Sequence, residues 1–152
     1  MQFYITHSDA YEPVLKDLLF KCEMPNNKTH KGYKFLIVLR GVAIGGCRLI
    51  LSENKRSGLI ASVCILEEFR GLGAGQALMD KVHNIAFDWG VDDLYLAAVD
   101  KAVDFYSKLG YQKINSKHPV PYEFIKPMVK IWEEYEKPAY PYKITEYMRL
   151  VL

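Results

Sequence analysis

The sequence predicts an α/β fold in a single domain spanning residues 1–152. Runs rich in β-branched and aromatic residues alternate with segments whose apolar residues recur at helical spacing. The run LIASVCIL at 59–66 is almost wholly apolar, which is typical of a strand at the centre of a sheet. A chain of 152 residues, half of them hydrophobic and a quarter charged, is long enough to bury one core.

Seven segments are predicted as strands. They are residues 2–6, 33–40, 42–51, 59–66, 93–99, 111–114 and 144–152. The second and third runs meet at Arg40-Gly41, which favours a hairpin turn between them.

Three helices are predicted between these strands. The first follows Asp9, which resembles a capping box with Glu12, and it tolerates Pro13 in its first turn. The second runs from Ala74 to the neighbourhood of Gly90. A third, at 102–109, follows a possible cap at residue 100.

The segment 116–142 differs in composition from the rest of the chain. It holds five of the seven prolines and many aromatic residues. Four apolar residues recur in it at helical spacing, although Pro127 should start or kink any such helix; they are Tyr122, Ile125, Val129 and Trp132.

Charge and composition exclude several classes of function. A net charge of +2 gives no strong electrostatic case for nucleic acid or a membrane surface as a partner. The apolar runs are far shorter than the roughly 20 residues that cross a bilayer, and the N-terminus does not resemble a signal peptide. The three cysteines have neither CxxC nor zinc-ligand spacing, and no two histidines are spaced as metal ligands. We therefore expect a cytoplasmic protein with buried thiols and no metal.

The stretch RGLGAG at 70–75 predicts an anion site. Glycines at 71, 73 and 75 lie between a predicted strand and a predicted helix, where unobstructed N–H groups and the helix dipole favour a phosphate. A Walker loop would end in Gly-Lys-Ser/Thr, and a dinucleotide fingerprint would need glycine where Gln76 stands. Both of those motifs are absent.

Two motifs together resemble the GCN5-related N-acetyltransferase (GNAT) superfamily. RGLGAG matches the family's Arg/Gln-x-x-Gly-x-Gly/Ala signature, and AVDFYSKLGY at 102–111 resembles its second hallmark helix. The predicted order of strands and helices is also similar to that of the family. The resemblance implies a GNAT fold, with a single mixed central sheet of six to seven strands flanked by helices. The aromatic and proline-rich segment would be an insertion before the last strand.

The resemblance also implies a function and a set of site residues. Acetyl-CoA would be the co-substrate of an N-acetyltransferase, and its acetyl group would pass directly to the amine of a small molecule or peptide. Backbone groups near Ile65 and Leu66 would bind the pantetheine arm, and Tyr106 would serve as general acid for the departing thiolate. The pyrophosphate would lie on Arg70, Gly71, Leu72, Gly73, Ala74 and Gly75.

Two departures from the family pattern affect this expectation. Val99 stands where many relatives carry an asparagine, which puts one pantetheine contact in doubt. No acidic residue lies on the strand at 59–66, so a general base would lie elsewhere or ordered water would carry the proton. We expect 116–142 to shape the acceptor pocket, with His118 or Glu123 holding the ammonium group; a homodimer contact is the alternative role.

Three other readings of the sequence remain open. The chain could be a catalytically silent acyl-CoA sensor or interaction domain. It could resemble an acyl-homoserine lactone synthase, because GGCRLIL at 45–51 is faintly similar to the Arg-Leu strand of those enzymes. An acetyl-cysteine route through Cys64 is a minor alternative, because no histidine adjoins that residue.

Overall fold

A computed structural model describes residues 2–26, 32–114 and 120–152, and it contains a seven-stranded sheet with helices on both faces. The strands are β1 (Tyr4–His7), β2 (Tyr33–Leu39), β3 (Val42–Leu51), β4 (Ser57–Ile65), β5 (Asp93–Val99), β6 (Gln112–Lys113) and β7 (Ile144–Val151). The helices are α1 (Glu12–Lys21), α2 (Ala74–Asp88), α3 (Val103–Lys108) and α4 (Tyr122–Tyr135). The predicted α/β class is confirmed.

The sheet has the order β1-β2-β3-β4-β5-β7-β6, and its single parallel pair is β4 with β5. All other neighbours are antiparallel. The predicted hairpin at Arg40-Gly41 is present, and both residues have positive φ, at 51° and 78°. Such angles suit a tight turn whose twist matches the strands on either side.

The parallel pair separates part-way along its length. Residues 57–59 of β4 pair with residues 93–95 of β5, and the later residues of both strands have no partner in each other. On its other edge, β4 carries a bulge opposite Cys47, where Ser62 has a left-handed φ of 59°. A bulge bends its strand and increases the local twist. The two strands therefore splay, and a gap opens between them in the middle of the sheet.

Side chains point alternately to the two faces of the sheet along each strand, so the core has a part on each face. Phe35 and Ile37 of β2 pack with Leu78 and Val82 of α2, whereas Leu36 packs with the buried leucines of α1. Helix α3 lies with α2, because Tyr106 belongs to the same cluster. Truncating any of these fully buried side chains to alanine should cost about 2–5 kcal/mol of stability.

Helix α4 covers the sheet on the α1 side. Phe124 and Met128 are 2% exposed and pack on Leu59 of β4 and Tyr95 of β5. The helix begins at residue 122 and contains Pro127, so the proline does not mark its start. Packing of the buried face compensates for the backbone hydrogen bond that a proline inside a helix removes.

An ion pair between a buried arginine and a partly exposed glutamate joins α1 to the sheet. The guanidinium of Arg48 on β3 is fully buried and donates to Glu12 at the start of α1, with 2.7 Å between Nη2 and Oε1. It also donates to Asn26 Oδ1 at 3.0 Å. This guanidinium lowers the pKa of the Glu12 carboxyl. The predicted capping box at Asp9 is absent. Ser8 instead caps a short 3-10 turn, Asp9–Tyr11, which precedes α1, and its Oγ accepts from Ala10 N–H.

Candidate active site

The gap between β4 and β5 opens into a cavity of about 670 Å³. Its wall is formed by the two separated strands, the glycine-rich loop, the starts of α2 and α3, and parts of the chain after α1 and around α4. The lining residues are 60–65 of β4; 96, 97 and 99 of β5; 69–71 and 73–76; 101, 102, 105 and 106; 22 and 24; and 131, 135 and 142. Segments that are remote in sequence thus meet at one site.

The glycine-rich loop forms part of the wall of this cavity. Gly71 and Gly73 have left-handed φ angles of 79° and 84°, and a Cβ built on either would meet no atom within 4 Å. Gly73 is the N-cap of α2, and the first intrahelical bond is donated by Ala77 N–H to Gly73 C=O. The N–H groups at positions 74–76 therefore have no intrahelical partner. Loop geometry thus leaves donors at the positive end of the helix dipole.

Arg70 is fastened to the neighbouring strand. Its Nε donates to the carbonyl of Ile65 at 2.9 Å. The Arg70 side chain also interacts with the Cys22 thiol. Arg70, Gly71, Gly73, Ala74 and Gly75 all line the cavity. Leu72 does not, and its side chain is exposed.

The backbone donors of β4 are displaced from the predicted position. Leu66 N–H donates to Ile44 C=O across the β3 edge, at 2.8 Å, and Leu66 is not part of the cavity wall. Backbone groups alternate between the two edges of a strand, so those of Val63 and Ile65 face the gap left by β5. Ile65 and Val63 therefore line the gap, whereas Leu66 faces β3. The sequence carries no signal for this register.

Tyr106 lies on the cavity wall, 7% exposed, on the first turn of α3. Its ring packs against Phe105 and Tyr111. Burial, and secondarily the neighbouring Tyr135 phenol, raises the pKa of Tyr106 well above the ordinary 10.0. Its hydroxyl makes no hydrogen bond to any described residue. Tyr106 is thus a neutral hydroxyl that stays protonated at any working pH and is free to donate to a ligand.

Helix α4 brings a second tyrosine to the cavity. Tyr135 is 7% exposed, and burial raises its pKa too, with Cys64 and Cys22 as neighbours. Ile131 and Tyr142 line the same region. The segment 116–142 therefore contributes three described residues to the cavity wall. The residues that recur at helical spacing in the sequence, 122/125/129/132, are not among them, and Trp132 packs on Tyr147.

Of the two predicted acceptor ligands, Glu123 does not line the cavity. Glu123 is exposed and its Oε2 accepts from the backbone N–H of Glu53 at 2.8 Å, so it lies at the β3–β4 turn. His118 lies outside the described residues. Among the described residues that line the cavity, Arg70 and Lys101 are the only charged side chains, and none is acidic or a histidine.

Two further findings concern metals and membranes. Within the described residues, no cluster of three or more histidine, cysteine, aspartate or glutamate side chains could hold a metal ion. None of the helices in this part of the chain is long and apolar enough to cross a membrane.

Seven strands in this order, one splayed parallel pair and a glycine loop at the start of α2 define the GNAT class of fold. Residues 2–111 match the acetyltransferase (GNAT) family, and the chain belongs to this family. The matched range ends before α4 and β7, so the helix that supplies Ile131 and Tyr135 lies outside it.

Individual relatives agree with this assignment. The chain is 33% identical over 86 residues to the uncharacterized N-acetyltransferase CgeE of Bacillus subtilis, covering 55% of this chain and 33% of that protein. It is 32% identical over 88 residues to N-alpha-acetyltransferase 50 of Danio rerio, covering 54% and 52%. The chain thus spans between a third and about half of the length of these relatives.

A solved structure shares the fold along nearly the whole chain. Rv2747 of Mycobacterium tuberculosis, in complex with CoA, has a TM-score of 0.68 and 20% identity, with 98% of this chain and 99% of that chain covered. At this identity the likeness establishes the fold alone.

Proposed function

We propose that the protein is an acetyl-CoA-dependent N-acetyltransferase that passes the acetyl group directly to an amine. The observation that supports this most strongly is the convergence on one cavity of the loop at 70–75, the unpaired edge of β4 and Tyr106. Each of these parts matches one chemical feature of a coenzyme A thioester: the pyrophosphate, the amide-bearing arm and the sulfur.

The start of α2 would hold the pyrophosphate. The N–H groups at 74–76 and the guanidinium of Arg70 are donors, and the left-handed glycines keep Cβ atoms out of the approach. The Mycobacterium tuberculosis protein, which has the same fold, was solved in complex with CoA, and this supports the assignment.

The edge of β4 would hold the pantetheine arm and the thioester. With β5 withdrawn, the backbone groups of Val63 and the N–H of Ile65 would bind a ligand amide in place of the missing strand, since the Ile65 carbonyl already accepts from Arg70 Nε. A backbone N–H on this edge would also donate to the thioester oxygen, where negative charge develops as the amine attacks. Backbone performs this task, so hydrophobic side chains at these positions are compatible with catalysis.

Tyr106 would stabilise the departing thiolate as a hydrogen-bond donor. A thiol has a pKa near 8.5, and burial places the pKa of Tyr106 far above that. Full proton transfer from the phenol to the sulfur is therefore uphill, and this revises the role of general acid expected from the sequence. Tyr135, which lies beside Tyr106, is the second hydroxyl at this site.

The acceptor would be an amine that reaches the cavity uncharged. The wall is mostly apolar and its charged side chains are cationic, so a polyamine gains no ion pair there. The α-amino group of a peptide, with a pKa of about 8, loses its proton more readily than an alkylamine. An aromatic or apolar amine would instead gain contacts with the apolar wall. The name of the Danio rerio relative, an N-alpha-acetyltransferase, is consistent with the second class.

The test is release of coenzyme thiol from acetyl-CoA with a panel of amines, with the products identified by mass spectrometry. We expect acetylated product with apolar or peptide α-amines and weak activity with polyamines. Coenzyme binding without acceleration by any amine would instead identify a silent acyl-CoA sensor.

A parallel assay with S-adenosylmethionine as the second substrate tests the hypothesis of a lactone synthase. Arg48, from the GGCRLIL run that suggested it, is bonded to Glu12 and Asn26 and buried beneath α1. This placement gives Arg48 a structural task, and we expect no lactone product.

A further inference from the structure

Two of the three cysteines meet in the wall of the cavity. Cys22 ends α1 and Cys64 lies on β4, 42 positions apart in the chain, and both belong to the same apolar cluster and line the cavity. The Sγ of Cys22 lies 3.5 Å from the carbonyl oxygen of Ile65, the residue that follows Cys64. Cys47 does not reach the cavity wall.

The surroundings make the two thiols chemically unequal. Interaction with the Cys64 thiol, followed by the positive charge of Arg70, lowers the pKa of Cys22 to about 7, from an ordinary 9.0. The pKa of Cys64 is raised by its bonding to Cys22 and by burial. Glu68 and Tyr135 are the other titratable groups that face Cys22. Burial raises the pKa of Cys47 to about 12.

This asymmetry is typical of an exchange-active dithiol. A thiolate beside a cation attacks a disulfide, and a neighbouring protonated thiol remains in reserve to resolve the product. Structural cysteines instead resemble Cys47, which is buried in apolar surroundings with no polar partner that lowers its pKa.

We propose that Cys22 and Cys64 form a thiol–disulfide exchange site in the cavity wall, which reacts with low-molecular-weight disulfides. In the first step the Cys22 thiolate bonds one sulfur of the small disulfide, whose other half leaves as a thiolate and takes a proton from solvent. In the second step Cys64 loses its proton and attacks Cys22 Sγ, and the second small thiol departs. The protein dithiol is oxidised to a disulfide, and the small disulfide is reduced to two thiols.

The consequence would be a covalent link between the end of α1 and β4. That link crosses one wall of the cavity, so oxidation changes the space that a ligand meets. The exchange does not require acyl transfer, and it can be measured with no acetyl-CoA present. Failure of the exchange and failure of the proposed acetyltransferase activity are therefore distinguishable.

The experiment treats the reduced protein with glutathione disulfide, and in a parallel arm with coenzyme A disulfide, followed by acid quench and peptide mass mapping. The wild type should acquire a Cys22–Cys64 link. Cys64→Ser should accumulate the mixed disulfide on Cys22, and Cys22→Ser should carry neither product. Cys47→Ser should behave as the wild type. A faster reaction with coenzyme A disulfide would identify that disulfide as the preferred partner. Equal rates would show that the site reacts with low-molecular-weight disulfides in general.

The second measurement is the rate of Cys22 alkylation as a function of pH, in the wild type and in Cys64→Ala. Alkylation of Cys22 should rise through a midpoint near 7 in the wild type, because reactivity follows the thiolate and appears as pH rises. Loss of the Cys64 partner should move the midpoint upward. The proposal is wrong if the wild type stays reduced under conditions that oxidise dithiothreitol, or if the variants, shown folded by circular dichroism, place the modification on Cys47.

Discussion

Tyr106 and Tyr135 approach the cavity from helices that cover opposite faces of the sheet. They come near each other because β4 and β5 separate beyond residues 59 and 95, which leaves a passage through the sheet. Both phenols are buried with raised pKa values, so both are donors at any working pH. A sequence motif indicated Tyr106 alone. The position of Tyr135 at the cavity could be recognised only from the three-dimensional structure.

Removing the Tyr106 hydroxyl should slow the chemical step. Tyr106→Phe keeps the ring contacts and loses a hydrogen bond to a charged atom, for which about 1.5–3 kcal/mol corresponds to a roughly 10- to 150-fold fall in kcat. Coenzyme affinity should change little. The assay is steady-state thiol release with calorimetric titration of the coenzyme.

Tyr111→Phe is the matched control. Its ring contacts Tyr106, but its hydroxyl bonds His83 at 2.7 Å and it is outside the cavity wall. This variant should lose stability and keep its kcat. Wild-type turnover in Tyr106→Phe would reduce that residue to a core aromatic.

At the scale of elements, helix α4 shows what sequence periodicity can and cannot predict. Apolar residues at 122, 125 and 129 indicated a helix, and one is present, but these three side chains are exposed. The face that packs is 124/128/135, because Phe124 and Met128 fill the surface over Leu59 and Tyr95. Two apolar stripes share this helix, and only the position of the sheet decides between them.

Acceptor preference should respond to the cavity face of α4 and not to its outer face. Ile131 lines the cavity, so Ile131→Ala enlarges it and should change the ratio of kcat/KM between large and small apolar amines by about tenfold. Val129→Ala, two residues away on the exposed face, should leave that ratio unchanged. Competition assays with paired amines measure the ratio.

The same pair of variants tests the alternative of a dimer contact. An effect of Val129→Ala on sedimentation, with no effect of Ile131→Ala on acceptor preference, would contradict the pocket role. These single substitutions are preferable to deleting the whole segment, because a deletion would expose the residues that are buried under α4.

The order of strands and helices was predictable because the spacing of apolar residues differs between a strand and a helix. Strand β5 begins and ends at the predicted residues, 93 and 99, since its apolar run is bounded by a turn and by Asp100. Register was not predictable. With the bulge at Ser62, the residues of β4 that line the gap are Val63 and Ile65, whereas Leu66 faces β3.

At the scale of the whole molecule, the cavity lacks an acidic or histidine side chain along its described wall. The pH dependence of turnover should then follow the acceptor. As pH rises through the pKa of the amine, its neutral form increases and kcat/KM should rise with it.

Two acceptors with different pKa values check this expectation. The inflection for a peptide α-amine should lie near pH 8, and that for a lysine-like amine should lie above pH 10. A single inflection common to both acceptors would point to a titrating group of the enzyme instead.

The central claim is that the coenzyme lies in this cavity with its pyrophosphate at the start of α2. Gly73 is a poor site to test it, because its φ of 84° strains any side chain. Gln76 lines the cavity in the first turn, and Gln76→Glu places a carboxylate where it favours the helix by about 0.3–1 kcal/mol and repels an anion. Asn84→Asp adds the same charge on an exposed position of the helix, about 12 Å along its axis.

The most direct measurement is calorimetric titration of acetyl-CoA into the wild type and these two variants. We expect Gln76→Glu to weaken binding about tenfold or more while its Tm stays equal or rises, and Asn84→Asp to bind as the wild type does. Undiminished affinity in a folded Gln76→Glu variant, or equal losses in both variants, would contradict the assignment of the pyrophosphate to this loop.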